Sequence, residues 1–319
     1  MRKVTIFPVT VPEAIHPETT GERSAGAYFC DMLAENGLEA RDGDVLVVSS
    51  KVVSFFEGGL IRLDEVRPSW KARFIGAAFG RDPRKLQLLM ETGTVILVLP
   101  MRRVLRIPSV RRMMIDRTPN PEAMLEGYGT VNRFTFVIRA HATYLDEAGI
   151  DHTNSPEGYV SVLPRDPCAT ARKIRKDVTD RCGADVAVII TDTVTCVGRL
   201  GSQDVAIGYA GIDPITRETF SDDLFGVPRS GGIDVVIDSL AGIAGHVMGQ
   251  TTERTPAVLV RGVEYAPERE EDVGRGMDLL GYPAGAVWRI ALYAMAATAW
   301  FRLVSLLSLR RWPRRTRSV

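Results

Sequence analysis

Apolar positions along the chain fall into two periods. Asp44 to Ser49 (DVLVVS) follows a turn at Asp42-Gly43 and reads as a strand ending in Ser49-Ser50-Lys51. Thr94 to Leu99, Phe134 to Ile138, Val186 to Ile190 and Ala257 to Val260 read as further strands, and the VAVII run at Val186 is apolar enough for burial on both faces. Helical spacing lies between them. Pro68 to Glu91 carries Trp70, Phe74 and Phe79 at helical spacing, and Gly80 to Pro83 divides it into two helices. Ala169 to Cys182 is a basic amphipathic helix with Ala171, Ile174, Val178 and Cys182 on one side, and Asp234 to Met248 is a helix with little charge. Strands alternate with helices without a visible repeat, so the predicted class is α/β, a mixed α+β chain.

Two stretches break this pattern. Met101 to Arg133 carries Arg102, Arg103, Arg106, Arg111, Arg112 and Arg117 among Pro108, Pro119 and Pro121; this least orderly stretch is basic enough to touch phosphates, and its plainer reading is an irregular, solvated surface insertion. Ala284 to Leu309 is an apolar helix rich in Ala, Leu and aromatics. Its uncharged run Ile290 to Phe301 is too short to span a bilayer, whereas Ile290 to Leu309 just reaches across if Arg302 snorkels. Arg310, Arg311, Arg314, Arg315 and Arg317 follow, with no acid after Leu309. Three arrangements are open: a span, a helix on the membrane surface held by the basic tail, or packing against the domain or across a dimer. A span would put the folded part on the far side by the positive-inside rule. Arg289 and Arg302 fall on different helix faces, which argues against a clean amphipathic stripe. The expected division is residues 1–264, interrupted by the insertion 101–133, and a C-terminal linker, helix and tail over residues 265–319.

Composition narrows the class. The chain has 319 residues, 45% hydrophobic and 25% charged, which fits a soluble protein with about two domains. A net charge of +1 gives no argument for nucleic acid, and none is expected as a partner. The cysteines Cys30, Cys168, Cys182 and Cys196 are scattered without a CxxC, against a zinc site or a disulfide framework. The first residues lack the apolar run of a signal peptide, so the expected location is the cytoplasm.

Candidate chemistry sits at the ends of apolar elements. Asp151 lies in AGIDHTN, Asp192 follows the strand at Val186 between Thr191 and Thr193, and Gln250 follows the helix ending at Met248. Carboxylates, a hydroxyl and an amide oxygen are hard donors suited to Mg²⁺ or Mn²⁺ rather than zinc. Each of them alone serves equally as a cap or turn residue. His152, beside Asp151, reads as a hydrogen-bonded loop histidine. Gly198, Gly201, Gly208 and Gly211 surround Arg199, a composition that can cradle phosphate, but GxxxxGK[ST], GxGxxG and GxSxG are all absent.

Four blocks in order resemble the F420-0:γ-glutamyl ligase (coenzyme F420-0:L-glutamate ligase) family: DGDVLVVSSKVVSFFEGG from Asp42, AGIDHTNSPEGYVSVLPRDPCATA from Ala148, VAVIITDTVTCVGRLGSQDVAIGYAGI from Val186 and VMGQTTERTPAVLVRG from Val247. The resemblance implies a two-domain F420-0:γ-glutamyl ligase-like fold that joins L-glutamate to F420-0 through an acyl phosphate made with GTP, in a homodimer needing Mg²⁺ or Mn²⁺ and often a monovalent cation such as K⁺. It implies that Asp151, Asp192, Thr193 and Gln250 hold metal. It implies GTP contacts from Thr10, Val11, Pro12 and Glu13, from Ser49, Ser50 and Lys51, from Asn154 and Arg199, and from Gly249, Thr251 and Thr252. Strand alternation continued from Ser49 would turn Lys51 away. The chain departs from the family at Phe55, where a second lysine is usual, in the loop after Asp192, where Arg199 stands apart, and in the Arg-rich insertion. These departures keep two other expectations open: the same chemistry on another acceptor such as a folate, and a non-catalytic nucleotide- or deazaflavin-binding paralogue at a membrane, touching it through residues 285–319.

Overall fold

The computed structural model describes residues 3–15, 23–130, 133–196, 199, 201–230, 232–283 and 286–308. The chain divides into two compact units, Met1–Leu279 and Leu280–Val319.

In the first unit, strand β1 (Thr5–Val9) leads to helix α1 (Ala25–Glu35), strand β2 (Val45–Ser49) and helix α2 (Ser50–Phe56), then strand β3 (Leu60–Arg62). Helices α3 (Trp70–Phe79) and α4 (Pro83–Thr92) precede strand β4 (Thr94–Leu99). Short helices α5 (Met101–Val104), α6 (Pro108–Ile115) and α7 (Pro121–Gly129) lead to strands β5 (Thr135–Ala140), β6 (Thr143–Asp146) and β7 (Tyr159–Ser161). Helix α8 (Pro167–Cys182), strands β8 (Ala187–Thr195) and β9 (Ser202–Ala210), helix α9 (Val236–Met248) and strand β10 (Ala257–Arg261) complete the framework.

The main sheet has the order β1-β10-β2-β8-β9, with β2 and β8 parallel and every other pair antiparallel. Its central strands carry Val45, Val47, Val48, Ile189, Ile190, Val258 and Leu259 out of solvent, which is why they read as unbroken apolar runs. Alternate residues (Leu46, Val48, Val188, Ile190, Ile207) join Phe29 and Leu33 of α1 and Ile174 and Val178 of α8 in one core. Helix α9 packs on the other face through Ile237, Ala241, Ala244 and Gly245. At the far end from the site, Arg261 grips buried Asp44 with both arms, Nε to Oδ1 at 2.9 Å and Nη2 to Oδ2 at 2.7 Å, joining β10 to the start of β2.

A smaller sheet, β4-β5-β6, packs Phe136 and Ile138 against Ala72, Leu86 and Leu89 of α3 and α4. Here two expectations are corrected. Phe79 does pack edge-on to Phe134 and Phe136, at 5.1 and 5.6 Å between centroids, but Trp70 and Phe74 are 73% and 71% exposed. The buried face of α3 is instead its small one, Ala72 and Gly76. The insertion is helical rather than irregular. Pro108 and Pro121 open α6 and α7 in the first turn, where a missing N–H costs nothing, and Asn120 caps α7 by accepting the Ala123 N–H at 3.1 Å.

The second unit contains helix α10 (Ala286–Ser308), whose Leu292, Tyr293, Met295, Trp300, Phe301 and Leu303 are exposed. Among the described residues no helix is long and apolar enough to cross a membrane. The basic tail from Arg310 lies outside the described residues.

Candidate functional site

The parallel pair β2 and β8 ends at a cavity of about 980 Å³. Pairing of β8 with β2 stops at Ser49–Thr191, yet β8 runs on to Thr195, paired with β9 and with a register shift between Ile190 and Thr191. Asp192 and Thr193 therefore lie within the strand, not beyond it as expected from VAVII, and both line the cavity. The turn from β2 into α2 delivers Ser49, Ser50 and Lys51. The chain from Gly149 to Pro156 forms another wall, and the Gly249–Pro256 loop after α9 forms the opposite one.

Each acid has defined partners. Asp192 Oδ1 accepts the Ser50 hydroxyl at 2.9 Å. The Gly149 backbone passes so close that a Cβ there would lie 3.0 Å from Asp192 Oδ2 and 2.8 Å from Leu163, at a φ of +66° that favours glycine. Burial pushes the Asp192 carboxyl up to about 7 despite the Ser50 bond, and the nearby Asp204 charge adds to the rise. Asp151 is fixed by a two-way backbone bridge to Ser161. Its carboxylate accepts Lys51 Nζ at 2.7 Å and the Thr153 N–H at 2.8 Å. Burial works to raise this carboxyl, but the Lys51 ammonium and the Thr153 N–H outweigh it and hold it below the usual range.

A third acid, Asp204, was not singled out from the sequence. It faces Thr193 across the β8–β9 ladder, accepts the Gln250 amide N–H at 3.1 Å and lies 2.8 Å from the Thr193 hydroxyl. Thr193 Oγ1 also lies 3.1 Å from Gln250 Oε1, so its single proton serves two acceptors. Burial raises the Asp204 carboxyl although Thr193 and Gln250 donate to it. The signal that could have marked it is an acid opening the apolar run VAIGYA.

The structure thus brings Asp151, Asp192, Thr193 and Gln250 to one cavity, with Val11, Ser49, Ser50, Lys51, Asn154, Gly249, Thr251 and Thr252. Lys51 is a correction: Ser50 starts α2, strand alternation no longer applies, and the ammonium reaches Asp151 and, at 2.6 Å, the Thr153 carbonyl. Asn154 donates to the Thr251 carbonyl at 3.2 Å and the Val11 N–H to the Arg254 carbonyl at 2.9 Å, which holds the three walls in register. Thr10, Pro12, Glu13 and Arg199 lie outside the lining. Thr10 bonds Asn36 with both its N–H and its hydroxyl, the Pro12 carbonyl accepts Arg254, and Arg199 is exposed. Phe55 is buried in the wall where the resemblance places a lysine.

Whether a divalent cation fits is a matter of donors. Among the described residues no three His, Cys, Asp or Glu side chains converge closely enough to hold an ion by themselves. Asp192, half-buried, and Asp204, buried, nevertheless form a pair of like charge, with Thr193 and Gln250 adding neutral oxygens and the Lys51 ammonium bonded to Asp151. The Lys51 ammonium, bonded to Asp151, offsets the charge on Asp192 only in part, and the donor set is all hard oxygen. That oxygen chemistry suits Mg²⁺ or Mn²⁺ rather than a softer metal.

Comparison with known proteins defines the class. The sequence profile of the family described as F420-0:Gamma-glutamyl ligase matches residues 19–262. The chain is 32% identical to the coenzyme F420:L-glutamate ligase of Methanopyrus kandleri over 285 residues, covering 89% of this chain and 97% of that one. It is 32% identical to the protein of that description from Methanothermobacter thermautotrophicus over 239 residues (75% and 82%) and 31% identical to that from Archaeoglobus fulgidus over 252 residues (76% and 88%). The molecule is a ligase of mixed α/β fold. It belongs to the F420-0:γ-glutamyl ligase family.

Proposed function

We propose that this protein joins L-glutamate to F420-0 by a γ-glutamyl amide bond, using GTP and a divalent metal. The observation that supports this most directly is the Asp192–Asp204 pair with Thr193 and Gln250, set at the strand ends of a cavity large enough for a nucleotide beside an acceptor. Amide formation from a carboxylate needs an activated leaving group. The acceptor carboxylate oxygen attacks the γ-phosphorus of GTP and GDP leaves. The neutral glutamate amine then attacks the acyl carbon, phosphate departs with the C–O electron pair, and the nitrogen gives up one proton to solvent. Asp192, Thr193, Gln250 and Asp151, with Asp204, would hold Mg²⁺ or Mn²⁺, and the bound ion would supply charge stabilisation to phosphoryl oxygens. Lys51 presents an ammonium at the wall, Ser49 and Ser50 present hydroxyls, and the Gly249–Thr252 turn borders the cavity. K⁺ belongs to the reading as a second cation.

Purified protein given GTP, Mn²⁺, L-glutamate and F420-0 is expected to release GDP and yield a γ-glutamylated product. Folded, metal-loaded protein giving neither overturns the reading. GDP release with a folate and not with F420-0 would move the acceptor.

Phe55 favours a second reading, a paralogue that binds nucleotide without turning it over, because it puts an apolar ring where a phosphate-facing cation is usual. Calorimetry separates the two: metal-dependent GTP binding without product formation supports the paralogue. In the ligase reading, Phe55→Lys restores one charge-assisted contact, and the KM for GTP should fall about tenfold or more. An unchanged KM would show that this wall does not meet phosphate.

The reading also includes a homodimer in the cytoplasm, with α10 and the basic tail resting on an anionic membrane surface. The exposed Leu292, Met295, Trp300 and Phe301 supply apolar area, and the five arginines after Leu309 supply charge. Flotation with phosphatidylglycerol vesicles should carry the full chain at low salt, and a variant lacking residues 285–319 should stay behind with its ligase activity intact. Equal flotation of both forms would exclude this role for the tail.

A further inference from the structure

Outside the cavity, two cysteines that are far apart in sequence meet. Cys30 sits on α1 and Cys182 ends α8, and their sulfurs lie 3.2 Å apart with both thiols free. A disulfide forms at about 2.05 Å, so closure needs an approach of only about 1 Å. We propose that Cys30 and Cys182 are an oxidisable dithiol that closes to an intramolecular disulfide tying α1 to α8.

The surroundings support closure without rearrangement. The two helices are already pinned at their other contact, where the Ser24 hydroxyl donates to Asp177 Oδ2 at 2.6 Å. Gly26 approaches so closely that a Cβ would meet Asp177 Cβ at 2.4 Å, so the helices cannot drift apart near that point without losing packing. Next to the two cysteines in sequence, Arg181 Nη1 lies 3.8 Å from Asp31 Oδ1, a further contact between α1 and α8. Exposure sets the order of events. Cys182 is exposed and Cys30 is buried, so Cys182 meets the oxidant first. Burial first, then the Cys182 contact, pushes the Cys30 thiol up to about 12, so Cys30 waits as a thiol.

The chemistry balances with a small-molecule disulfide as oxidant. The Cys182 thiolate attacks one sulfur of the reagent, forming a mixed disulfide and expelling one thiolate. Cys30 then attacks the Cys182 sulfur, loses its proton and expels the second thiolate. Two protein thiols become one disulfide and the reagent is reduced to two thiols. Hydrogen peroxide gives the same bond through a Cys182 sulfenic acid, with water as the by-product.

Neither cysteine lines the cavity, so basal ligase activity should be unaffected by Cys182→Ser. The cross-link would close a loop of 152 residues and secure the helix that follows the cavity-wall segment Val11–Ile15. The test treats the full chain with oxidised glutathione and counts thiols after denaturation. Titratable thiols should fall from the four cysteines of the sequence to two, with one Cys30–Cys182-linked peptide after digestion. The melting temperature should rise by roughly 5–10 °C and return on reduction. Cys182→Ser should abolish the cross-link and the shift, and Cys30→Ala should leave Cys182 as a stable glutathione adduct. A glutathione adduct on Cys182 in the unsubstituted chain without the linked peptide, or a linkage through Cys168 or Cys196, would overturn the proposal.

Discussion

Asp192→Asn is expected to cost at least about 10³ in kcat while leaving a protein more resistant to denaturation than the parent. The asparagine oxygen still accepts the Ser50 hydroxyl, so the wall keeps its shape and only the charge is removed. The stability gain follows from the raised carboxyl. A group held at about 7 in the fold, against about 4 in the unfolded chain, is ionised more readily when unfolded. Metal-free parent protein should therefore lose stability as pH rises from about 4 to 7, by roughly 1–3 kcal/mol, less than full conversion because the side chain faces an open cavity. Denaturant melts in chelator at pH 5 and pH 8 should converge for Asp192→Asn and diverge for the parent. A variant that keeps full turnover would remove Asp192 from the chemistry.

Gly245→Ala should be nearly as damaging although its backbone lies on the far face of the sheet. A Cβ at Gly245 would lie 2.4 Å from Asp204 Cγ and 2.5 Å from its Cβ and Oδ2. Either α9 lifts off β9 or the carboxylate swings away from Thr193 and Gln250. The first costs about 1–3 kcal/mol, and the second should lower kcat by about 100-fold. Gly242→Ala is the control. Its Cβ meets nothing nearer than the Asp204 carbonyl at 3.7 Å, and replacing a helical glycine there should stabilise by about 0.5–1 kcal/mol. Thermal melts and glutamylation rates of the two variants measure the difference. Equal behaviour would mean that Asp204 is not held by this contact.

Local signals placed most elements well. Thr94–Leu99 has the bounds its apolar run predicts, and the Gly80–Pro83 break falls where α3 gives way to α4. Motif order, rather than periodicity, gathered Asp151, Asp192, Thr193 and Gln250. What escaped was whatever depends on a partner distant in sequence. Asp204 matters because a hairpin sets it opposite Thr193, and that pairing is invisible in SQDVAIG. Lys51 was turned the wrong way because periodicity cannot tell where a strand yields to a helix. Trp70 and Phe74 obey a helical period yet stay exposed, since spacing specifies a face and not what covers it. The prolines of the Arg-rich segment read as breaks, whereas two of them begin helices.

Strand β10 lies between β1 and β2, and among the described residues it is the only neighbour of β1 in the sheet. During synthesis β1 emerges first and must wait, as an unpaired edge, until residues 257–261 have left the ribosome. Nascent chains of this protein should thus be vulnerable to edge-to-edge association for most of their translation, and any fragment ending before Ala257 should be a client for chaperones rather than a smaller folded domain.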